Sequence, residues 1–255
     1  MRRREKFVLA SILLSLVLLS VQYVPLDFRY PLLLLFSIFT YLVSAWALSD
    51  DLQKIEWLTI LPLPTLYAGA VGAFYFLLPD GWTSRFFNLG LFGIGMYALY
   101  LTANIYSVAK GRTIQLLRAA HAIGLLFTLL TSLLYLNTIF SHHFPFYING
   151  LLVGLTHFPL IFLFLWAVRL EPKIDFRVTQ ISLIFTLFLI ELGMILSFFP
   201  MSVWLISLFL MTFLYIVLGI LQAYFQDRFF QSTINEYTGV GIFLGALFLV
   251  LLPWK

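Results

Sequence analysis

The chain has 255 residues, of which 62% are hydrophobic and 10% charged, with a formal net charge of +4 and a mean hydropathy of +1.01. A soluble domain is about half apolar and about a quarter charged, so this composition excludes one, and the apolar runs leave no length for a large extramembrane lobe. Cysteine is absent, which removes disulfides, thiolate nucleophiles and thiolate metal sites.

Nine apolar runs of roughly 20 residues are each long enough to cross about 30 Å of hydrocarbon at about 1.5 Å per residue. None alternates polar and apolar as barrel strands do, and lipid requires internally satisfied backbone, so each is predicted to be a helix. The sequence thus predicts an all-α integral membrane protein: a polytopic bundle of about nine transmembrane helices with short loops, in a single domain over residues 1–255.

The first run, 7–24, follows MRRREK and has the basic and apolar parts of a signal peptide. It lacks a small-x-small cleavage site and reads as an uncleaved span. After the run 31–48, the run 57–78 carries Pro62, Pro64 and the stretch AGAVGA at 68–73. Its prolines each free a carbonyl and are expected to bend the helix. The run 87–108 holds Gly90 and Gly93, then Tyr97, Tyr100 and Asn104, which continue from Gly93 as a semi-polar stripe. Arg118 stands just before the run 119–140, with His121 three residues on and therefore expected on the same face, and Tyr135 follows.

The loop SHHFPFY at 141–147 places His142 beside His143. Adjacent histidines in an extended loop diverge and no third ligand is near, so no metal site is read there. The run 148–168 contains Gly150, Gly154, Thr156, His157 and Pro159, and Pro159 leaves the Leu155 carbonyl without its helical donor. The connection RLEPKIDFR at 169–177 leads to the run 178–199, which holds the lone acid Glu191. The run 203–224 precedes FQDRFFQSTIN at 225–235, where Phe225 and Phe229 beside Asp227 and Arg228 suit a short interfacial helix or a plain turn. The last run, 236–253, carries Gly241 and Gly245. Such small residues let helix backbones approach; most are read as packing inside one protomer, with Gly241 and Gly245 as the candidate homodimer face.

Orientation follows from the cations. With the amino terminus cytoplasmic, the inner side collects Arg2, Arg3, Arg4, Lys6, Lys54, Lys110, Arg112, Arg118, Arg169, Lys173, Arg177 and Arg228, and the outer side keeps Arg29, Arg85 and Lys255. This places the protein in the cell membrane with its carboxyl terminus outside. Trp46, Trp57, Trp82, Trp166, Trp204 and Trp254 fall at the ends of the proposed spans, the headgroup level that indole prefers. Because the positive charge is spread along the inner rim, the partner it implies is the lipid bilayer and not nucleic acid.

Glu191 lies about 12 Å from the outer edge of its span, and His157 lies about 15 Å deep on the preceding, antiparallel run. The two are expected to share a proton, with Thr156, Tyr97 and Tyr135 as further polar groups near that depth. A purely architectural hydrogen bond between helices explains the same residues. Asn104, Arg118 and His121 form a second candidate cluster near the inner face. No paired-acid motif, iron-binding histidine box, nucleophile elbow or phosphate loop is present, so no catalytic role and no cofactor are read. The first functional reading is a non-enzymatic bundle that binds a lipid-like or apolar ligand, or a partner membrane protein, with His157 and Glu191 as its polar core. The alternative is a proton-coupled transporter of a small molecule in which Glu191 carries the proton; a lipid-modifying enzyme is a third.

Overall fold

The structure, a computed structural model, describes residues 3–21, 23–25, 28–50, 52–78, 81–108, 114–227 and 230–251. Arg2, Lys110, Arg112, Arg228, Phe229, Trp254 and Lys255, which entered the sequence argument, lie outside the described residues. The regular elements among the described residues are helices: α1 (Arg3–Val21), α2 (Arg29–Leu48), α3 (Glu56–Thr59), α4 (Pro62–Tyr75), α5 (Trp82–Ser107), α6 (Ile114–Ser141), α7 (Phe146–Arg169), α8 (Phe176–Leu196), α9 (Val203–Phe225) and α10 (Gln231–Leu251). Eight stretches among them, with Glu56–Tyr75 counted as one, are long and apolar enough to cross a membrane. The protein is an all-α, multi-pass membrane protein. Helix α1 falls outside those eight, since the charged residues Arg3, Arg4, Glu5 and Lys6 take up its first turn.

Two compact units divide the chain, residues 1–134 and 135–255, and the division falls inside α6. In the first unit α1 packs against α2 and α5, and α4 packs against α2 and α5. The expected bend at Pro62 and Pro64 is instead a helix start: α3 ends at Thr59 and α4 begins at Pro62. Proline fits the first turn because its missing N–H would have no partner there. The AGAVGA stretch then lets α4 approach α2, for a Cβ added at Gly72 would lie 2.6 Å from Leu33 Cδ2.

Rings fill the core of this unit. Tyr67 stacks on Phe92 at 5.8 Å and meets Phe127 edge-on at 5.2 Å, while Phe36 lies 6.1 Å from Phe92. These aromatic side chains therefore serve packing. The Tyr100 hydroxyl pairs with Ser44 Oγ at 3.0 Å, and Tyr106 Oη donates to the Ala120 carbonyl at 2.9 Å. At one end Lys6 Nζ donates to both carboxylate oxygens of Asp50, at 3.0 and 2.8 Å. That bond holds the Asp50 carboxyl below its ordinary value. At the other end Arg29 lies over Phe76 and Arg85 over Tyr23, at 4.7 and 4.9 Å.

In the second unit α7 and α8 meet through small residues. A Cβ at Gly150 would stand 2.6 Å from Met194 Cγ, and one at Gly154 would stand 2.6 Å from Ile190 Cδ1. The connection between them turns at Leu170, whose φ of 51° is left-handed, and Asp175 caps α8 by accepting from the Arg177 amide at 3.0 Å. Helix α9 packs on α7 and α8, and α10 lies along α9, where Tyr237 fits over Gly219.

Of segment 225–235, Phe225 ends α9, Asp227 follows at φ 53° and Gln231 opens α10, while Arg228 and Phe229 lie outside the described residues. Gly241 lies toward Ile216 of α9, where an added Cβ would stand at 3.8 Å, while Gly245 has nothing within 4 Å.

The close approach of α7 and α8 is testable. Gly154→Val should lower stability by roughly 1–3 kcal/mol, the usual cost of overpacking, whereas Gly245→Ala should leave it nearly unchanged. Thermal unfolding of the purified protein in detergent reads both.

Candidate functional site

Glu191 is exposed on α8, whereas His157 on α7 is wholly buried. The glycine contacts explain this. Gly150 against Met194 and Gly154 against Ile190 fix an antiparallel register that sets Glu191 opposite Val153, one turn or about 6 Å along the axis from His157. Ile190 and Met194 take the side of α8 that meets α7. Glu191, about 100° round the helix from Ile190, joins Ile184, Leu187, Phe188, Ile195 and Phe198 on the exposed side. The Glu191 carboxyl has no hydrogen bond or ion pair among the described residues, so the expected proton-sharing pair is not formed. Counting from span ends gives height along a helix and carries no information on direction round it.

His157 is satisfied within its own helix. Its Nδ1 lies 2.9 Å from the Val153 carbonyl and 2.9 Å from Thr156 Oγ1. A carbonyl only accepts, so Nδ1 carries the hydrogen. Thr156 Oγ1 in turn donates to Leu152 O at 2.9 Å. A polar tie between α7 and α8 that the sequence reading missed is Asn149, whose Nδ2 donates to Ser197 Oγ at 3.1 Å.

The inner cluster also separates. Arg118 is exposed, while His121 is buried with its ring 5.7 Å from Tyr106, so the two do not share a face as their spacing suggested. Residues three apart on a helix are still about 60° apart in angle, and the edge of the buried arc falls between these two. Asn104 is half-buried, and Tyr135, in the second unit, is half-buried as well. The expected stripe from Gly93 to Asn104 divides: Tyr100 turns to Ser44 of α2, and Gly93 and Tyr97 turn to α1.

Gly93 and Tyr97 line a groove of about 570 Å³ open to the side between α1 and α5. From α1 come Val8, Ser11, Ile12, Ser15, Leu16 and Leu19; from α5 come Phe86, Leu89, Gly90, Gly93, Ile94 and Tyr97. Each set recurs at three- and four-residue spacing, one side of a helix. The helices run antiparallel, since Phe7 meets Tyr100 at 5.9 Å and a Cβ at Gly93 would lie 2.9 Å from Ser15 Oγ. Tyr97 is therefore level with about Ser11, near the middle of α1, and Phe86 lies near its carboxyl-terminal end. Small side chains open the groove: at Gly90 an added Cβ would meet nothing within 4 Å. Its serines present little polarity, because Ser11 Oγ donates to Phe7 O at 2.8 Å and Ser15 Oγ to Ser11 O at 2.9 Å. The lining is apolar with Tyr97 at one end, a composition suited to a hydrocarbon chain. Gly90 and Gly93 read alike in sequence, yet only Gly93 is a packing contact.

These features define a multi-pass helical membrane protein with an apolar groove between α1 and α5 among its described residues. Residues 43–252 match the family described as protein of unknown function (DUF5656), and the chain belongs to that family. The match begins within α2, so it includes α5 and leaves out α1. No curated protein and no solved structure matches the chain at a significant level.

The placement of Glu191 has a direct consequence. A charged residue at a helix centre costs about 2.5–3.5 kcal/mol on insertion scales, so Glu191→Leu should insert at least as well as the parent and keep or raise its Tm. His157→Ala, which empties a sealed site and orphans its hydrogen-bonding partners, should lose about 2–4 kcal/mol. Membrane yield and thermal unfolding in detergent compare the two.

Proposed function

We propose that the protein is a non-enzymatic membrane bundle that holds a lipid-like or apolar ligand, and that its site is the lateral α1–α5 groove with Tyr97 in the lining. The single observation that carries this reading is the groove itself: about 570 Å³ of apolar, side-opening space, within the range of small-molecule sites. His157 takes a structural part in this reading, as a buried group satisfied by Val153 and Thr156. The serines of the lining, Ser11 and Ser15, donate to carbonyls of their own helix, which leaves the groove apolar in character.

The reading is checked by filling the groove. Gly90→Phe adds a ring where space is open, so it should preserve folding while abolishing retention of a bound apolar chain, scored by lipid adducts in native mass spectrometry. Unchanged retention would refute the assignment.

We also propose that the protein resides in the cell membrane with its amino terminus cytoplasmic, on the strength of the twelve-to-three bias of Lys and Arg. Because the chain has no cysteine, single cysteines report sidedness directly. In intact cells an impermeant thiol reagent should label Ser202→Cys and spare Lys173→Cys; the reverse pattern would invert the topology.

A further inference from the structure

We propose that the groove's occupant is one acyl chain of an anionic phospholipid, its phosphate held at the Arg4 end of α1, an inference that rests on the lateral-groove reading above. Three observations converge on it.

Length comes first. From Val8 to Leu19 the groove runs about 16 Å along α1, close to half of a ~30 Å hydrocarbon core. That length accommodates one acyl chain laid along the groove.

The second is charge at the end where a headgroup belongs. Arg4 and Glu5 line a shallower depression with Val8 and Leu9, and Val8 is common to this depression and the groove. Val8 thus borders both, which sets Arg4 one turn from the groove's mouth. Lys6, one turn away, is committed to Asp50 at 2.8 Å. Arg4 is exposed and enters no ion pair among the described residues, so its guanidinium is the cation available to a phosphate, which it can hold through two parallel N–H donors. Glu5 shares the mouth and has an interaction of its own.

The third is the state of the cation at the opposite end. Phe86, Leu89 and Leu19 lie there, and Arg85 beside them is stacked on Tyr23 and Trp82 at 4.9 and 5.9 Å. An amphiphile entering from the side therefore directs its headgroup to Arg4 and its methyl terminus toward Phe86. With the amino terminus cytoplasmic, that headgroup lies in the leaflet whose surface is rich in anionic lipid.

The test exposes the detergent-purified, full-length protein to an equimolar mixture of phosphatidylglycerol and phosphatidylcholine and counts retained lipid by native mass spectrometry. The parent should retain phosphatidylglycerol over phosphatidylcholine by about fivefold, the preference expected from one arginine near a membrane surface. Arg4→Gln should bring the two lipids to parity while lipid is still retained, and Gly90→Phe should lose both. Gly90→Leu, with a smaller side chain in the same open space, gives the same readout should the phenylalanine variant fold poorly. Equal retention of the two lipids by the parent, or an undiminished preference in Arg4→Gln, overturns the anionic assignment while leaving the groove reading standing. Retention that survives both Gly90 variants overturns the groove reading and this inference with it.

Discussion

Hydrocarbon offers a backbone amide no water to bond, and an unsatisfied polar group there costs several kcal/mol. That constraint organises the molecule down to single hydroxyls. Ser11, Thr40, Thr128, Thr131, Ser182, Thr186 and Ser207 each donate to the carbonyl four residues earlier in their own helix. His157 does the same through Nδ1. Side chains that look like pieces of a polar site in the sequence are thus consumed locally, and the helices meet through surfaces that are apolar in effect.

Once polarity is consumed, helices associate by fit, since lipid tails are as apolar as the helix surfaces themselves. Gly72 against Leu33, Gly150 against Met194, Gly154 against Ile190 and Gly219 beneath Tyr237 are the points where a large side chain enters the space a small residue leaves. Each contact fixes an angle as well as a distance. Between α7 and α8 that angle turns Ile190 inward and Glu191 outward, and so it decides that the one deep acid of the α8 span does not reach the one deep histidine of α7.

The same logic makes the groove. Ser15 and Gly93 bring α1 and α5 together along one line, and beside that line Gly90 has no neighbour to receive. A small residue with a partner becomes an interface, and a small residue without one becomes open volume. The long side chains of Ile12, Leu16, Phe86 and Ile94, all strongly exposed, stand as its rims. Function, in this reading, arises where packing by fit is left incomplete at the surface that meets lipid.

The sequence by itself determined the class, the helices and most of their ends, because about 20 consecutive apolar residues have only one way to span a bilayer. Residue count also converts to height along a helix, which is how the sequence ranks Tyr97 and His157 by depth. Tertiary structure alone decided which way each side chain points: Glu191 outward, His121 inward, Arg118 outward, Gly241 toward α9 and Gly90 toward nothing. In a soluble helix the polar face declares itself, but here core and solvent are both hydrocarbon, so no period in the sequence distinguishes them. Direction round the helix was fixed only when one glycine met one particular side chain on another helix.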